Sequence, residues 1–340
     1  MSNRWHMPDR TQRSDGGPRR VGVEIELQGI AVDQLAERVA DTLGGSVRRV
    51  SSAEFVIDVP DQGEYRVEVD YRFLKELARE QEDQSEPDNR SLGELAVDAL
   101  GSASSIVVPC EIVSPPIAVG DISAPIDALV EALREAGAEG TKKSFLYAFG
   151  VHLNIEPPDL SAATITNYLR AFICLYDWLV DEARIDLSRR IVPYIAPFSQ
   201  KYDLLVADPA YEPDWPQLID DYLEHNPTRD RAMDMLPLFA FRDEDRVRAV
   251  VDDPLIAARP AFHYRLENCC IDEPGWTVAS IWNRWMQIER LAYSPDRLAE
   301  LARRFVGHKS RFFGGIDESW PDQVRSWLAG RGPGSDGGGD

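Results

Sequence analysis

The chain is short of positive charge: 37 Lys and Arg stand against 58 Asp and Glu, a formal net charge of -21 over 340 residues. A field of that sign repels phosphate backbones and anionic lipid, which argues against nucleic acid and membrane surfaces as partners. Cysteine is also scarce. Cys110, Cys174, Cys269 and Cys270 have neither zinc-site spacing nor the framework of a small secreted domain. Neighbouring Cys269 and Cys270 would point to opposite faces of a strand, so all four read as reduced thiols of a cytoplasmic protein. Long apolar runs are missing. The longest, Leu169 to Val180, contains Asp177 and is too short to span a bilayer. Residues Met1 to Arg20 have no apolar stretch of the kind a secretory signal needs. A P-loop, a dinucleotide fingerprint after a strand and a nucleophile elbow are absent as well, so the commonest nucleotide and acyl-transfer motifs offer no reading.

What remains is ordinary in bulk. The chain is 44% hydrophobic and 28% charged, which fits one large globular domain or two smaller ones. Residues 1–18 read as a disordered arm, 19–312 as a single domain, and 313–340 as a C-terminal segment with a Gly-rich disordered end from about residue 333. The period of a strand in Val21-Gly22-Val23-Glu24-Ile25-Glu26-Leu27 puts four apolar residues on one face and Glu24 with Glu26 on the other. Val32 to Leu43 has helical spacing closed by Gly44-Gly45. Glu54 to Val59 and Glu64 to Asp70 form a hairpin around Asp61-Gln62-Gly63, with Arg66, Glu68 and Asp70 on its polar face. Ile106 to Val113 is a strand stopped by Ser114-Pro115-Pro116, and Glu111 is its lone charge. Phe73 to Arg79 and Leu92 to Leu100 read as short helices around a polar loop.

Farther on, Phe145 to Glu156 reads as a strand with bulky residues on one face and Ala148, Gly150, His152, Asn154 and Glu156 on the other. Small residues beside polar ones suggest a surface that a ligand approaches closely. Ser161 to Glu182 is a long amphipathic helix. Arg189 to Tyr202 is irregular, broken by Pro193 and Pro197, and offers Arg189, Arg190, Ser199, Gln200 and Lys201 to an anionic ligand. Trp215 to His225 and Arg229 to Phe241 read as helices, the second interrupted by Pro237. Ala261 to Cys269 is a last strand, with His263, Arg265 and Glu267 on one face, followed by helices over Thr277 to Ala292 and Asp296 to Phe305.

Taken together, the polar faces of these strands carry Glu24, Glu26, Glu68, Asp70, Glu111, His152, Asn154, His263, Arg265 and Glu267. A sheet face turned to water normally mixes in Lys, Thr and Ser. This one is mostly carboxylate and imidazole. Two carboxylates about 7 Å apart on one strand repel and raise each other's pKa unless a cation sits between them. Divalent metals would turn such a face into a polyphosphate site, and Arg265 would add a fixed positive fork. The plainer alternatives are an edge strand with a solvated acidic face for Glu24 and Glu26, a hydrogen-bonded structural histidine for His152, and a salt bridge to Glu267 for Arg265.

At these residues the chain resembles the amidoligases of the glutamine synthetase and glutamate–cysteine ligase superfamily, the carboxylate–amine ligases. The matching elements are Gly22-Val23-Glu24-Ile25-Glu26, Val67-Glu68-Val69-Asp70, Glu111-Ile112-Val113-Ser114-Pro115-Pro116, Gly150-Val151-His152-Leu153-Asn154 and His263-Tyr264-Arg265. They run in order from about Val21 to Leu291. Two departures stand out: Asn154 where the family often has a second histidine, and His263 where it often has an acidic residue. The resemblance implies an α+β fold, a curved, mainly antiparallel sheet with helices packed on its outer face, as in the catalytic fold of glutamine synthetase. It implies ATP and Mg2+ (or Mn2+) as cofactors. A small-molecule or peptide carboxylate would be joined to an amine through an acyl phosphate. It also implies Glu24, Glu26, Glu68, Asp70, Glu111 and His152 as metal ligands and Arg265, Glu111 and His152 as catalytic groups. Asn154, Arg265, Lys201 and Arg190 would hold the nucleotide. The acidic face admits a metal-dependent phosphohydrolase as well, and the departures admit an inactive nucleotide-binding homologue. Oligomeric state stays open.

Overall fold

The structure, a computed structural model, describes residues 4–69, 109–141, 149–185, 195–310 and 318–330. Helices and a mainly antiparallel open sheet make an α+β fold. The chain divides into two compact units. Arg20–Leu153 with Asn268–Val278 is here called the sheet unit. Met1–Arg19, Asn154–Glu267 and Ala279–Asp340 form the helical unit.

In the sheet unit the strands are β1 (Arg20–Leu27), β2 (Ser46–Arg49), β3 (Glu54–Val59), β4 (Gly63–Val69), β5 (Cys110–Val113), β6 (Ile117–Ala118) and β7, which starts at Gly150 and runs to Ile155. Their order is β2-β3-β4-β5-β1-β7, with β6 on β1. The alternation expected in β1 holds: Val21, Val23, Ile25 and Leu27 are at most 1% exposed. Each such burial is worth roughly 1.5–3 kcal/mol. Helix Val32–Leu43 packs on β3 and β4 through its 3.6-residue stripe, with Leu35, Ala36 and Val39 fully buried. It ends where Gly44 takes φ 71°, a left-handed conformation that glycine adopts without strain. Helix Ser123–Glu135 packs against it.

Register in this unit follows from local devices. The β3–β4 hairpin turns over Pro60-Asp61-Gln62, with Asp61 at φ 63° and Gly63 at φ 109°, so that Val59 faces Gly63 and Glu54 faces Glu68. The proline pair after Ser114 ends β5. Ser114 then locks β5 to β1 twice: its amide donates to Val23 O at 2.9 Å, and its hydroxyl accepts the Val23 amide at 2.8 Å. That lock sets Glu26 opposite Glu111.

The helical unit is centred on helix Ala162–Glu182, capped by Ser161. Helices Gln200–Ala207, Trp215–His225, Pro295–Lys309 and Trp320–Leu328 pack on it. Two strands, β8 (Met233–Asp234) and β9 (Phe262–Asn268), pair antiparallel, and all residues of β9 are buried.

Three expectations change here. Residues 4–18 are not a loose arm. Trp5 is 7% exposed and its ring lies tilted 5.9 Å from that of Trp282, whose indole donates to His6 O at 2.6 Å. A single tryptophan supplied the apolar anchor that the polar composition hid. Arg229 to Phe241 is not one helix: Met233 and Asp234 pair with Tyr264 and His263, and a helix begins only at Leu236, with Pro237 in its first turn. Proline is well tolerated there and poorly tolerated farther in. The stretch to Tyr202 is helical from Gln200, because Ser199 caps it by accepting the Tyr202 amide. The short helices expected over Phe73 to Arg79 and Leu92 to Leu100 lie outside the described residues.

Candidate metal centre

The polar face of the sheet unit is built by register. Across β3, β4, β5 and β1, the residues directly opposite one another are Glu54, Glu68, Glu111 and Glu26. Opposed residues have Cβ atoms about 4.5–5.5 Å apart, and like charges so placed destabilise a sheet. Arg66 reaches Glu54 at 3.5 Å, which eases the outer end of the row. Glu24 precedes Glu26 by one strand period on β1, so both side chains emerge on this face.

His152 of β7 lies between them. Its Nδ1 is 2.7 Å from Glu24 Oε2, its Nε2 3.4 Å from Glu26 Oε1, and Glu111 Oε1 is 4.0 Å from Nδ1. The imidazole is 1% exposed, while Glu24, Glu26 and Glu111 keep 12–15% of their side-chain surface open. The group that sits among these neighbouring carboxylates is an imidazole. Glu26 is further held by the Gly150 amide, which donates to Oε2 at 2.6 Å. The small Gly150, two residues before His152, brings its backbone close to the carboxylate.

Ligand atoms of Glu26, Glu111 and His152 lie within 4.8 Å of one another, close enough to share one cation. The donor set fits a divalent metal: hard carboxylate oxygens, one borderline nitrogen, and side chains held from behind by backbone and neighbouring residues.

A profile of the family described as "Putative amidoligase enzyme" matches residues 17–287. The chain belongs to that family. No curated protein and no solved structure matches it. The amidoligase match spans the stretch that contains β1, β4, β5, β7 and β9.

The remaining candidates fall as follows. Arg265 belongs to the helical unit, is 2% exposed, and donates from Nη1 to Arg229 O at 3.1 Å. Glu267 accepts both Nε and Nη2 of Arg284 at 2.8 and 2.7 Å and the Tyr264 hydroxyl at 3.0 Å, a structural arrangement. Asn154 Oδ1 accepts from Nε and Nη2 of Arg259 at 3.0 and 2.7 Å. Lys201 is exposed on the first turn of helix Gln200–Ala207. Asp70 and Arg190 lie outside the described residues. Sequence reading passed over Glu54, because a turn at Asp61-Gln62-Gly63 pairs it with Asp70, whereas the turn over Pro60-Asp61-Gln62 sets it opposite Glu68. It also passed over Arg259, which no local pattern marks. Among the described residues no helix is long and apolar enough to cross a membrane.

Proposed function

We propose that this amidoligase is an ATP-dependent carboxylate–amine ligase that works with Mg2+ or Mn2+ and forms an amide or peptide-like bond through an acyl phosphate. One observation carries the reading: Glu68, Glu111 and Glu26 stand directly opposite one another beside an imidazole already gripped by Glu24. Charges arranged this way favour cation binding, and a cation held by carboxylates binds phosphate oxygens with its remaining positions.

The chemistry needs such a surface. A carboxylate is a poor acylating agent. Its oxygen attacks the γ-phosphorus of ATP and ADP leaves, giving the acyl phosphate. The amine nitrogen then forms a bond to the carbonyl carbon, the bond to the phosphate oxygen breaks, and phosphate departs with the nitrogen losing a proton. Phosphoryl transfer of this kind depends on positioning and charge stabilisation rather than on covalent work by the protein. In this reading Glu24, Glu26, Glu68, Glu111 and His152 hold the cations, with Asp70 in support. Bound cations supply the positive charge that lets a polyphosphate approach this acidic face. Arg265 stabilises the transferring phosphoryl group, and Asn154, Lys201 and Arg190 serve the nucleotide. The substrates are a small-molecule or peptide carboxylate and an amine, in the cytoplasm.

The test is ADP release with pooled amino acids and peptides, with product detection by mass spectrometry, wild type against Glu24→Gln. The expected result is Mg2+-dependent ADP release that requires carboxylate and amine together, yields the amide and is lost in the variant. Phosphate release with no acceptor would replace the reading with a phosphohydrolase. Nucleotide binding with no turnover would replace it with an inactive homologue.

A further inference from the structure

A cavity of about 270 Å3 is lined wholly by residues of the helical unit and has no part in the roles assigned so far. Arg13 to Asp15, from the ordered N-terminal stretch, form one side of it, and the Ser14 amide pins that stretch to Pro158 O at 2.8 Å. Pro157, Leu160, Phe241 and Pro260 make its walls largely apolar. Phe241 is 49% and Leu160 39% exposed, two of the six large apolar side chains left open among the described residues. Open apolar side chains scattered singly need no explanation, but gathered around one hollow they mark a ligand site.

Charge decides the kind of ligand. Asp15, Glu156 and Asp159 line the cavity against one guanidinium, that of Arg13. That guanidinium is already engaged: Nε and Nη2 donate to Asp15 at 3.2 and 3.1 Å, and Nη1 donates to Glu156 at 3.4 and 3.3 Å. Asp159 differs. Its Oδ1 accepts the amide and the hydroxyl of Ser161 at 3.0 and 2.7 Å. Arg10 Nη1 stands 3.9 Å from its Oδ2, beyond hydrogen-bond reach, and the Arg10 guanidinium lies 4.7 Å over the Tyr293 ring instead. Burial opposes the charge on Asp159, yet the Ser161 hydrogen bonds, with Thr164 beside them, hold its carboxyl below the ordinary range.

We propose that this cavity binds a small apolar amine, with the ammonium on Asp159 Oδ2 and the hydrocarbon body against Phe241, Leu160 and the prolines. An anion would meet a lining of net negative charge. A guanidinium makes its best pairing with both oxygens of a carboxylate, and Ser161 holds one of these. An ammonium is a compact point charge that one oxygen can receive. The exposed ring of Phe241 adds attraction for a cation near its face. The volume falls below the roughly 300–1,000 Å3 of drug-sized sites, which leaves room for one ring or a short chain. Such binding requires neither nucleotide nor metal and stands whether or not the protein is a ligase.

The experiment is calorimetric titration of the full chain with phenethylamine up to millimolar concentration, at low salt and without nucleotide or metal. Phenethyl alcohol and phenylacetate, of similar shape without the positive charge, serve as comparisons. Phenethylamine is expected to bind and the other two to bind at least 10-fold more weakly, about the worth of one charge-assisted hydrogen bond. Asp159→Asn keeps an oxygen for Ser161 and is expected to weaken phenethylamine binding by about 10-fold. Phe241→Ala, at an exposed position, is expected to weaken it by about 2- to 5-fold. No binding of phenethylamine, equal binding of the alcohol or the acid, or wild-type affinity in either folded variant would overturn the proposal. Loss of binding in Glu24→Gln would also overturn it, by moving the amine to the acidic face of the sheet unit. Should Asp159→Asn fail to fold, Phe241→Ala and the comparison with phenethyl alcohol decide.

Discussion

Glu289 and Glu267 in the helical unit each receive two hydrogen bonds from one guanidinium. Arg19 donates to Glu289 at 2.6 and 3.0 Å, and Arg284 to Glu267 at 2.8 and 2.7 Å. Burial works against the charge on Arg19, yet the Glu289 hydrogen bond and charge outweigh it and hold the guanidinium protonated. In the sheet unit Glu24, Glu26 and Glu111 gather instead around one imidazole, and Glu68 faces Glu111 across the ladder. The first pattern is that of charges whose work is to hold the fold: fork-to-fork, buried and matched one to one. In the second, acids are stacked against acids with part of their surface open. Folding gains nothing from that arrangement, and a bound cation does.

The contrast can be broken most sharply at Glu26 and Glu111. Glu26→Gln and Glu111→Gln are expected to cut amine-dependent ADP release by about 100- to 1000-fold. Thermal stability should stay level or rise, because relieving opposed like charges is worth about 0.2–1 kcal/mol. Variants that lose fold and activity together would make the row structural after all. Glu289→Ala should do the opposite: urea unfolding is expected to show a loss of about 3–5 kcal/mol, the cost of stranding a buried partner. A loss below about 1 kcal/mol would remove the pair from the structural class.

A third comparison uses the cation itself. Mn2+ at about 100 times its dissociation constant should stabilise the wild type by about 2.7 kcal/mol. Glu26→Gln should abolish most of that gain and Glu289→Ala should keep it. Equal gains in both variants would place the ion elsewhere.

The smallest effect concerns pH. Burial pushes the Asp203 carboxyl up from 3.8 to about 7, with Lys309 opposing and Asp177 adding to the rise. The folded state then holds the proton longer than the unfolded chain. Its contribution is complete below about pH 4, is lost as pH rises through about 7, and stays lost above that. Asp203→Asn should flatten this slope, gaining about 1–2 kcal/mol at pH 8 relative to the wild type. An unchanged pH profile of thermal unfolding would show that the carboxyl is hydrated in the folded protein.

Much of the sheet unit was legible in the chain. The β1 alternation, the helix stopped at Gly44, the β3–β4 hairpin and the proline stop after β5 all rest on neighbours in sequence, and all stand. Trp215–His225 appears with the bounds that its spacing predicts. The misreadings share a cause. Met233 and Asp234 form a strand only because β9 is there to receive them, and residues 4–18 are ordered because Trp5 finds Trp282. Neither partner is near in sequence, so no local pattern could announce either contact. Asn154 likewise meets Arg259, 105 residues away, a contact that no local pattern marks.

Sequence alone determined which side chains share a strand face, because alternation is a property of backbone geometry and needs no partner. That was sufficient to bring out Glu24, Glu26, Glu68, Glu111 and His152 as candidates. Tertiary structure decided which acid stands opposite which, that Glu54 extends the row, that His152 sits between Glu24 and Glu26, and that Asp234 stands opposite His263. Register is set by pairing between distant segments, and a shift of one residue would turn every one of these side chains to the other face.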